Sequence, residues 1–423
     1  MLQDRYGIRD LAAPWYAGSA SFLRAPWTAP TAVPDGYIAI AGMPVDQYAT
    51  TAGHTGMRHG PRKIREASLF LAGYHGIQSD VGISDFQTGI VRAWPERLPV
   101  ADTGDVPVLP NDTPAQVAAA VDHLAAATRT SGLTVTLGGD HFVAYPATLG
   151  VITGLRERRA GIRLGYLHVD SHTDFVDFHH QSGRFHHGSA ARRVAEMPEL
   201  TRMAWFGVNA MTQPNQVAVM YERGFRVATA AYVETVGPRE AMTKVLDYLL
   251  DGTDALYVSV DIDVVNSSDA PATSAPGFRG ISARALIEAL HLLAGADNLV
   301  GMDLSARSTR SSTCPAGQNS SPWTPFSPSS GTGSSSGSAS FPPSSSPPFS
   351  SAPPRAAAAD VPSARAEGRP FARARIVAAL TLPCCTTDLA TSIVGTRPAQ
   401  RAGQAAERPA RSRGIADQLT VAG

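Results

Sequence analysis

At 423 residues the chain is long enough for two or three domains, but its composition divides it unevenly, so length alone overcounts them. Its 36 Lys and Arg balance 36 Asp and Glu, and this formal charge of zero argues against a general polyanion binder. All 3 cysteines, Cys314, Cys384 and Cys385, fall beyond residue 304, so the preceding part is expected to hold neither disulfides nor a thiolate metal site.

The opening MLQDRYGIRDL has no basic region followed by an apolar core, and no apolar run approaches a membrane span. Neither export nor membrane insertion is expected, and a reducing cytoplasm fits. Short apolar and β-branched runs then alternate with amphipathic helical patterns, which predicts a mainly parallel sheet covered by helices. In chain order the strands are 37–42, 133–138, 164–169, 203–208, 255–260 and 298–304. Helices are expected at roughly 113–129, 145–158, 238–251 and 282–293. Thr113 and Gln116 resemble a capping box, Pro238 suits a first helical turn, and Ser282 can cap the last helix. Residues 1–304 therefore read as one globular domain. From Ser305 the periodicity stops, and Ser/Pro-rich and then Ala/Arg-rich sequence runs to Gly423, too poor in buriable surface to offset its ordering entropy.

Carboxylates and imidazoles gather where the predicted strands end, the edge at which open parallel sheets bind ligands. TLGGDHFVAYP, at 136–146, sets His141 after a glycine turn; alone such a motif is more often a capped turn with a structural histidine. HVDSHTDF, at 168–175, alternates Asp170, His172 and Asp174, which would share one face of an extended segment. YVSVDIDVVN, at 257–266, puts Asp261 and Asp263 together, where like charges repel unless a cation neutralises them. Two histidines and four aspartates exceed what one open catalytic ion needs, but they suffice for two ions sharing bridging carboxylates. Oxygen ligands with a minority of imidazole suit Mn(II) or a similar ion. GRFHHGSA, at 183–190, adds a histidine pair that could serve as acid or base.

In this order GGDH (138–141), DSHTD (170–174), HHGS (186–189) and SVDID (259–263) resemble the arginase/agmatinase, or ureohydrolase, family. YAGSASFLRAPW (16–27), GMPVD (42–46) and TGMRHGPRKIRE (55–66) extend the likeness upstream and favour the agmatinase and guanidinobutyrase branch. The resemblance implies a three-layer α/β/α fold over about residues 14–304. It implies that His141 and Asp174 bind one Mn(II), that His172 and Asp263 bind the other, and that Asp170 and Asp261 bridge them. A metal-bridging hydroxide would attack the guanidinium carbon of agmatine or 4-guanidinobutyrate, and His187 would shuttle the proton that lets the amine leave. Related enzymes form trimers or hexamers, so a cytoplasmic homo-oligomer acting on a small guanidino substrate is implied, with no nucleic acid or membrane partner.

Some segments depart from the family pattern. Ser171 stands where alanine is commoner, and NSSDAPATSAPGFRG (266–280) replaces the usual Asp-Pro and Gly-rich turn at the substrate mouth. After LVGMDL the family continues Glu-Val-Asn/Asp-Pro, whose glutamate holds the guanidinium; that glutamate is missing here. When Ala306–Ala316 are written with codons ending in G or C, AGG at Arg307 and TCN serines, reading from the third base gives Glu-Val-Asp-Pro-Leu-Val-Asp-Val-Pro-Gly. The expectation is an indel near Ser305 that replaced everything beyond. Other readings are a metal-binding but inactive relative, a deacetylase-like amide hydrolase with a single ion, and a structural or nucleic-acid-binding protein resting on the Arg-rich tail.

Overall fold

The computed structural model describes residues 18–305, apart from 53–54, 75–82, 86–89, 93–98, 272 and 274–278. The expectations for residues 306–423, both the tail and the shifted frame, lie outside the described residues.

The strands are β1 (Ile38–Gly42), β2 (Ile83–Asp85), β3 (Ile90–Arg92), β4 (Val100–Asp105), β5 (Leu133–Leu137), β6 (Leu164–Val169), β7 (Leu200–Val208), β8 (Arg226–Thr229), β9 (Ala255–Asp261) and β10 (Leu299–Ser305). β2 and β3 form a separate antiparallel pair. The other eight make one parallel sheet in the order β4-β1-β5-β10-β9-β6-β7-β8. All six predicted strands are present. β4 and β8, the two edges, were not predicted, because VADTGD and RVAT carry little apolar signal.

Among the described residues eight α-helices accompany them: α1 (Gly60–Tyr74), α2 (Thr113–Thr128), α3 (Ala144–Arg156), α4 (Ala190–Ala195), α5 (Pro214–Glu222), α6 (Ala230–Val236), α7 (Pro238–Leu250) and α8 (Ala283–Leu290). Successive strand residues point to opposite faces. On one face Leu167, Phe206 and Val258 join Val245 and Leu249 of α7 and Leu286 of α8. On the other, Tyr166, Trp205 and Tyr257 join Leu124 of α2 and Val151 of α3. These two apolar layers produce the three-layer α/β/α arrangement and explain why the central strands are apolar along their whole length.

Pro238 does open α7, and the Ser282 hydroxyl accepts the Ala285 N–H at 3.1 Å. The capping box at Thr113 does not form. Asp112 caps α2 by accepting the Ala115 N–H at 3.0 Å, while buried Gln116 accepts from the Leu109 N–H and donates to the Pro107 carbonyl. One residue earlier, a carboxylate already satisfies the orphan donor, which frees the glutamine to brace the loop. Among the described residues no helix is long and apolar enough to cross a membrane.

Candidate metal centre

The carboxyl ends of β5, β6 and β9 meet at the middle of the sheet. β5 ends in the GGDH turn, whose glycines answer crowding and not a left-handed backbone. A Cβ on Gly139 would lie 1.7 Å from the Val45 carbonyl oxygen, and one on Gly138 would lie 2.9 Å from that of Leu304. Such close approach lets the turn seat His141 directly over the strand ends.

β6 stops at Val169, and residues 170–174 form an irregular turn with Asp174 at φ 44°. The expectation of one shared extended face is therefore corrected. The turn divides the three side chains, sending Asp170 and Asp174 to His141 while His172 swings toward Asp263. His141 Nδ1 lies 2.9 Å from Asp170 Oδ2, 2.9 Å from Asp174 Oδ2 and 3.3 Å from Asp261 Oδ2. His172 Nδ1 lies 3.2 Å from Asp263 Oδ2 and 3.4 Å from Asp170 Oδ1. At the end of β9 the chain turns again, with the Asp261 carboxylate accepting the Asp263 N–H at 3.0 Å, so these two aspartates do not alternate along a strand either.

Two compact donor groups result, His141–His168–Asp170–Asp174 and Asp170–His172–Asp263, with Asp170 common to both. Asp261 belongs to neither group but closes on His141. His168 was missed in the sequence. It is fully buried, it stacks on His141 with ring centroids 4.6 Å apart, and its Nε2 lies 3.0 Å from Asp170 Oδ2. The available signal was an imidazole two residues before Asp170 inside an otherwise apolar strand.

The electrostatics are those of crowded carboxylates offset by imidazoles. Burial pushes Asp263 well above the usual carboxylate range, reinforced by Asp261 and Asp170. Asp170 is held well below that range despite its burial, because the hydrogen-bonding imidazoles of His141, His168 and His172 favour its charged form. Burial lowers His172, yet Asp170 and Asp263 more than reverse this and raise it to about 12. His141 Nδ1 faces three carboxylate oxygens but finds no acceptor along a ring N–H direction. A cation among them satisfies all four groups at once, whereas a single N–H satisfies one. The residues fit a divalent ion on that ground.

Above these groups lies a cavity of about 280 Å³, whose walls include Ala49, Val176, His187, Met211, Gln213 and Gln216. Of the HHGS pair, His187 lines this cavity, while His186 is buried and pushed down to about 4 by desolvation, with the neighbouring His187 next. His187 Nδ1 is 2.9 Å from the Tyr48 carbonyl oxygen. Asp140 is buried beside them, and desolvation pushes its carboxyl up to about 7 against the opposing influence of His187 and two backbone N–H groups.

The profile of the arginase family matches residues 37–309. The chain is 28% identical over 273 residues to the mitochondrial agmatinase of Gallus gallus, covering 63% of this chain and 72% of that one. It is 29% identical over 295 residues to the guanidinopropionase of Pseudomonas aeruginosa, covering 69% and 84%. The solved structure of proclavaminate amidino hydrolase from Streptomyces clavuligerus superposes with a TM-score of 0.56 at 26% identity, covering 70% of this chain and 91% of that one. With the profile spanning the sheet and every strand end that bears the clustered carboxylates, the chain belongs to the arginase family.

Proposed function

We propose that the chain hydrolyses a small guanidino compound to urea and a primary amine, with agmatine and 4-guanidinobutyrate as the leading substrates. The observation that carries this reading is the convergence of His141, Asp170, His172, Asp174, Asp261 and Asp263 on one cavity floor. His141 and Asp174 would hold one Mn(II), His172 and Asp263 the other, and Asp170 and Asp261 would bridge them. Divalent ions bound there supply Lewis acidity, which brings water within reach of deprotonation at neutral pH.

The chain's own residues would do the rest. The cavity walls would keep the planar guanidinium over this floor. His187, on the wall, would carry the proton that lets the amine depart. Agmatinase and guanidinopropionase among the relatives support the guanidino class. A cytoplasmic homo-oligomer, trimer or hexamer, belongs to the same proposal, supported by the absence of cysteine from residues 1–304 for the compartment.

A second reading is favoured by one observation. After Ser305 the sequence ARSTRSSTC lacks the glutamate that would grip the guanidinium, so a folded, metal-binding but inactive chain is the alternative. Urea release from a panel of guanidino substrates, with and without Mn(II), separates them when the present chain is compared with one continuing EVDPLVDVPG after Ser305. Activity only in the latter supports the missing anchor, and no urea from either rejects the hydrolase reading.

A further inference from the structure

We propose that Asp140, the acidic residue of GGDH, is a positioning residue that sets which nitrogen of His187 carries the proton. The inference rests on the reading above, in which His187 is the proton carrier.

Asp140 is 3% exposed and its two carboxylate oxygens have different tasks. Oδ1 accepts the Phe142 N–H at 3.1 Å and so caps the turn that carries His141. Oδ2 reaches across 92 positions of sequence to accept the Tyr48 N–H at 2.9 Å. The Asp140 N–H donates in turn to the Val45 carbonyl at 2.8 Å, so the segment after β1 is tied to the GGDH turn at two points. The ring of Tyr48 lies 4.2 Å from that of Phe142, which adds an apolar contact to the same joint.

Tyr48 then presents its carbonyl to His187 Nδ1 at 2.9 Å. A carbonyl oxygen can only accept, so the ring nitrogen facing it must donate. In neutral His187 the proton therefore sits on Nδ1, and Nε2 keeps the lone pair available to a group in the cavity that this residue lines. Of the residues in this chain of contacts, only His187 is asked to exchange a proton. Asp140 acts through Tyr48, holding the residue whose carbonyl selects the tautomer.

The test is histidine ¹⁵N NMR on the full-length chain with Mg(II), His187 being assigned by its loss in His187→Gln. At a pH where the ring is neutral, unmutated His187 should show a protonated Nδ1 and an unprotonated Nε2. Asp140→Ser keeps a capping oxygen for Phe142 but cannot reach Tyr48. It should lower the Nδ1–H to Nε2–H ratio about tenfold, the effect of one ordinary hydrogen bond. Tyr48→Phe, which leaves the main chain in place, should not change that ratio. Independently, the Tyr48 amide of the unmutated chain should exchange with solvent as slowly as that of Phe142.

An Nε2–H tautomer in the unmutated chain, an unchanged ratio in folded Asp140→Ser, or fast exchange at Tyr48 would overturn the proposal. None of these readouts requires turnover. Failure of the functional reading appears elsewhere, as full urea release by His187→Gln in a chain carrying the restored segment.

Discussion

Asp261 illustrates what a single side chain contributes at the centre. It ends β9, accepts the Asp263 N–H and comes within 3.3 Å of His141. If it bridges two ions, Asp261→Asn should reduce urea release by at least about 100-fold, more than outer-sphere changes usually cost, with metal analysis showing fewer than two ions per chain. Substantial retained turnover would refute its role. Asp46 offers a prediction about pH. Its burial favours the neutral form, but hydrogen bonds from the Arg58 side chain and from the Gly56 and Arg58 N–H groups outweigh this and leave the carboxyl lowered. The unfolded chain then binds a proton at this position first. The contribution of Asp46 to stability is therefore full above the ordinary aspartate range and is lost as pH falls through the lower folded value. Thermal unfolding followed below pH 5 should show a shallower acid-side decline in Asp46→Asn than in the unmutated chain, together with lower stability at neutral pH. These residue types and their order along the chain were legible in the motifs. Their pairing came from the family resemblance and not from the spacing, because a turn at 170–174 and not a strand carries Asp170, His172 and Asp174.

At the scale of elements, edge strand β4 depends on a buried ion pair. Arg65 of α1 donates to both oxygens of Asp102, at 2.8 and 2.9 Å, and reaches Asp105 at 2.6 Å. Arg65 is 3% exposed and Asp102 is fully buried. Removing one partner strands the other charge, so Arg65→Ala should cost about 3–5 kcal/mol. Chemical denaturation checks this, and a loss below about 1 kcal/mol would place the pair among weak surface bridges. The same dependence explains why β4 was missed: one of its buried side chains, Asp102, is an aspartate whose partner lies 37 positions upstream. The GGDH turn is constrained by space. With the Val45 oxygen 1.7 Å from where its Cβ would be, Gly139→Ala must displace either the turn or the segment after β1. A destabilisation of about 1–3 kcal/mol is expected, with weaker metal binding than in the unmutated chain because His141 moves with the turn. Isothermal titration with Mn(II) at a temperature where the variant is folded reads the second effect, and unchanged affinity would show that the turn relaxes away from His141.

On the scale of the whole molecule, sheet order β4-β1-β5-β10-β9-β6-β7-β8 decides what meets what. β5 and β9 are separated in sequence by more than a hundred residues, yet they flank β10, and this brings His141 to the Ser259 hydroxyl at 2.9 Å and to Asp261. β10 runs to Ser305, the profile match ends at residue 309, and the indel we propose near Ser305 would explain why the family's glutamate segment is missing. Sequencing the gene across codons 300–320 should reveal the shifted Glu-Val-Asp-Pro reading, and a different codon pattern there would sink that explanation. By itself the sequence determined the apolar central strands, the helices that cover them and the stock of donor groups at strand ends. Those properties are local, set by the apolar period along each element and by the residue that follows it. The tertiary structure alone decided the edge strands, the entry of His168, the turn that carries Asp170 to Asp174 and the tie from Asp140 through Tyr48 to His187. Each of those depends on contacts between segments far apart in sequence, where burial and close approach outweigh local preference.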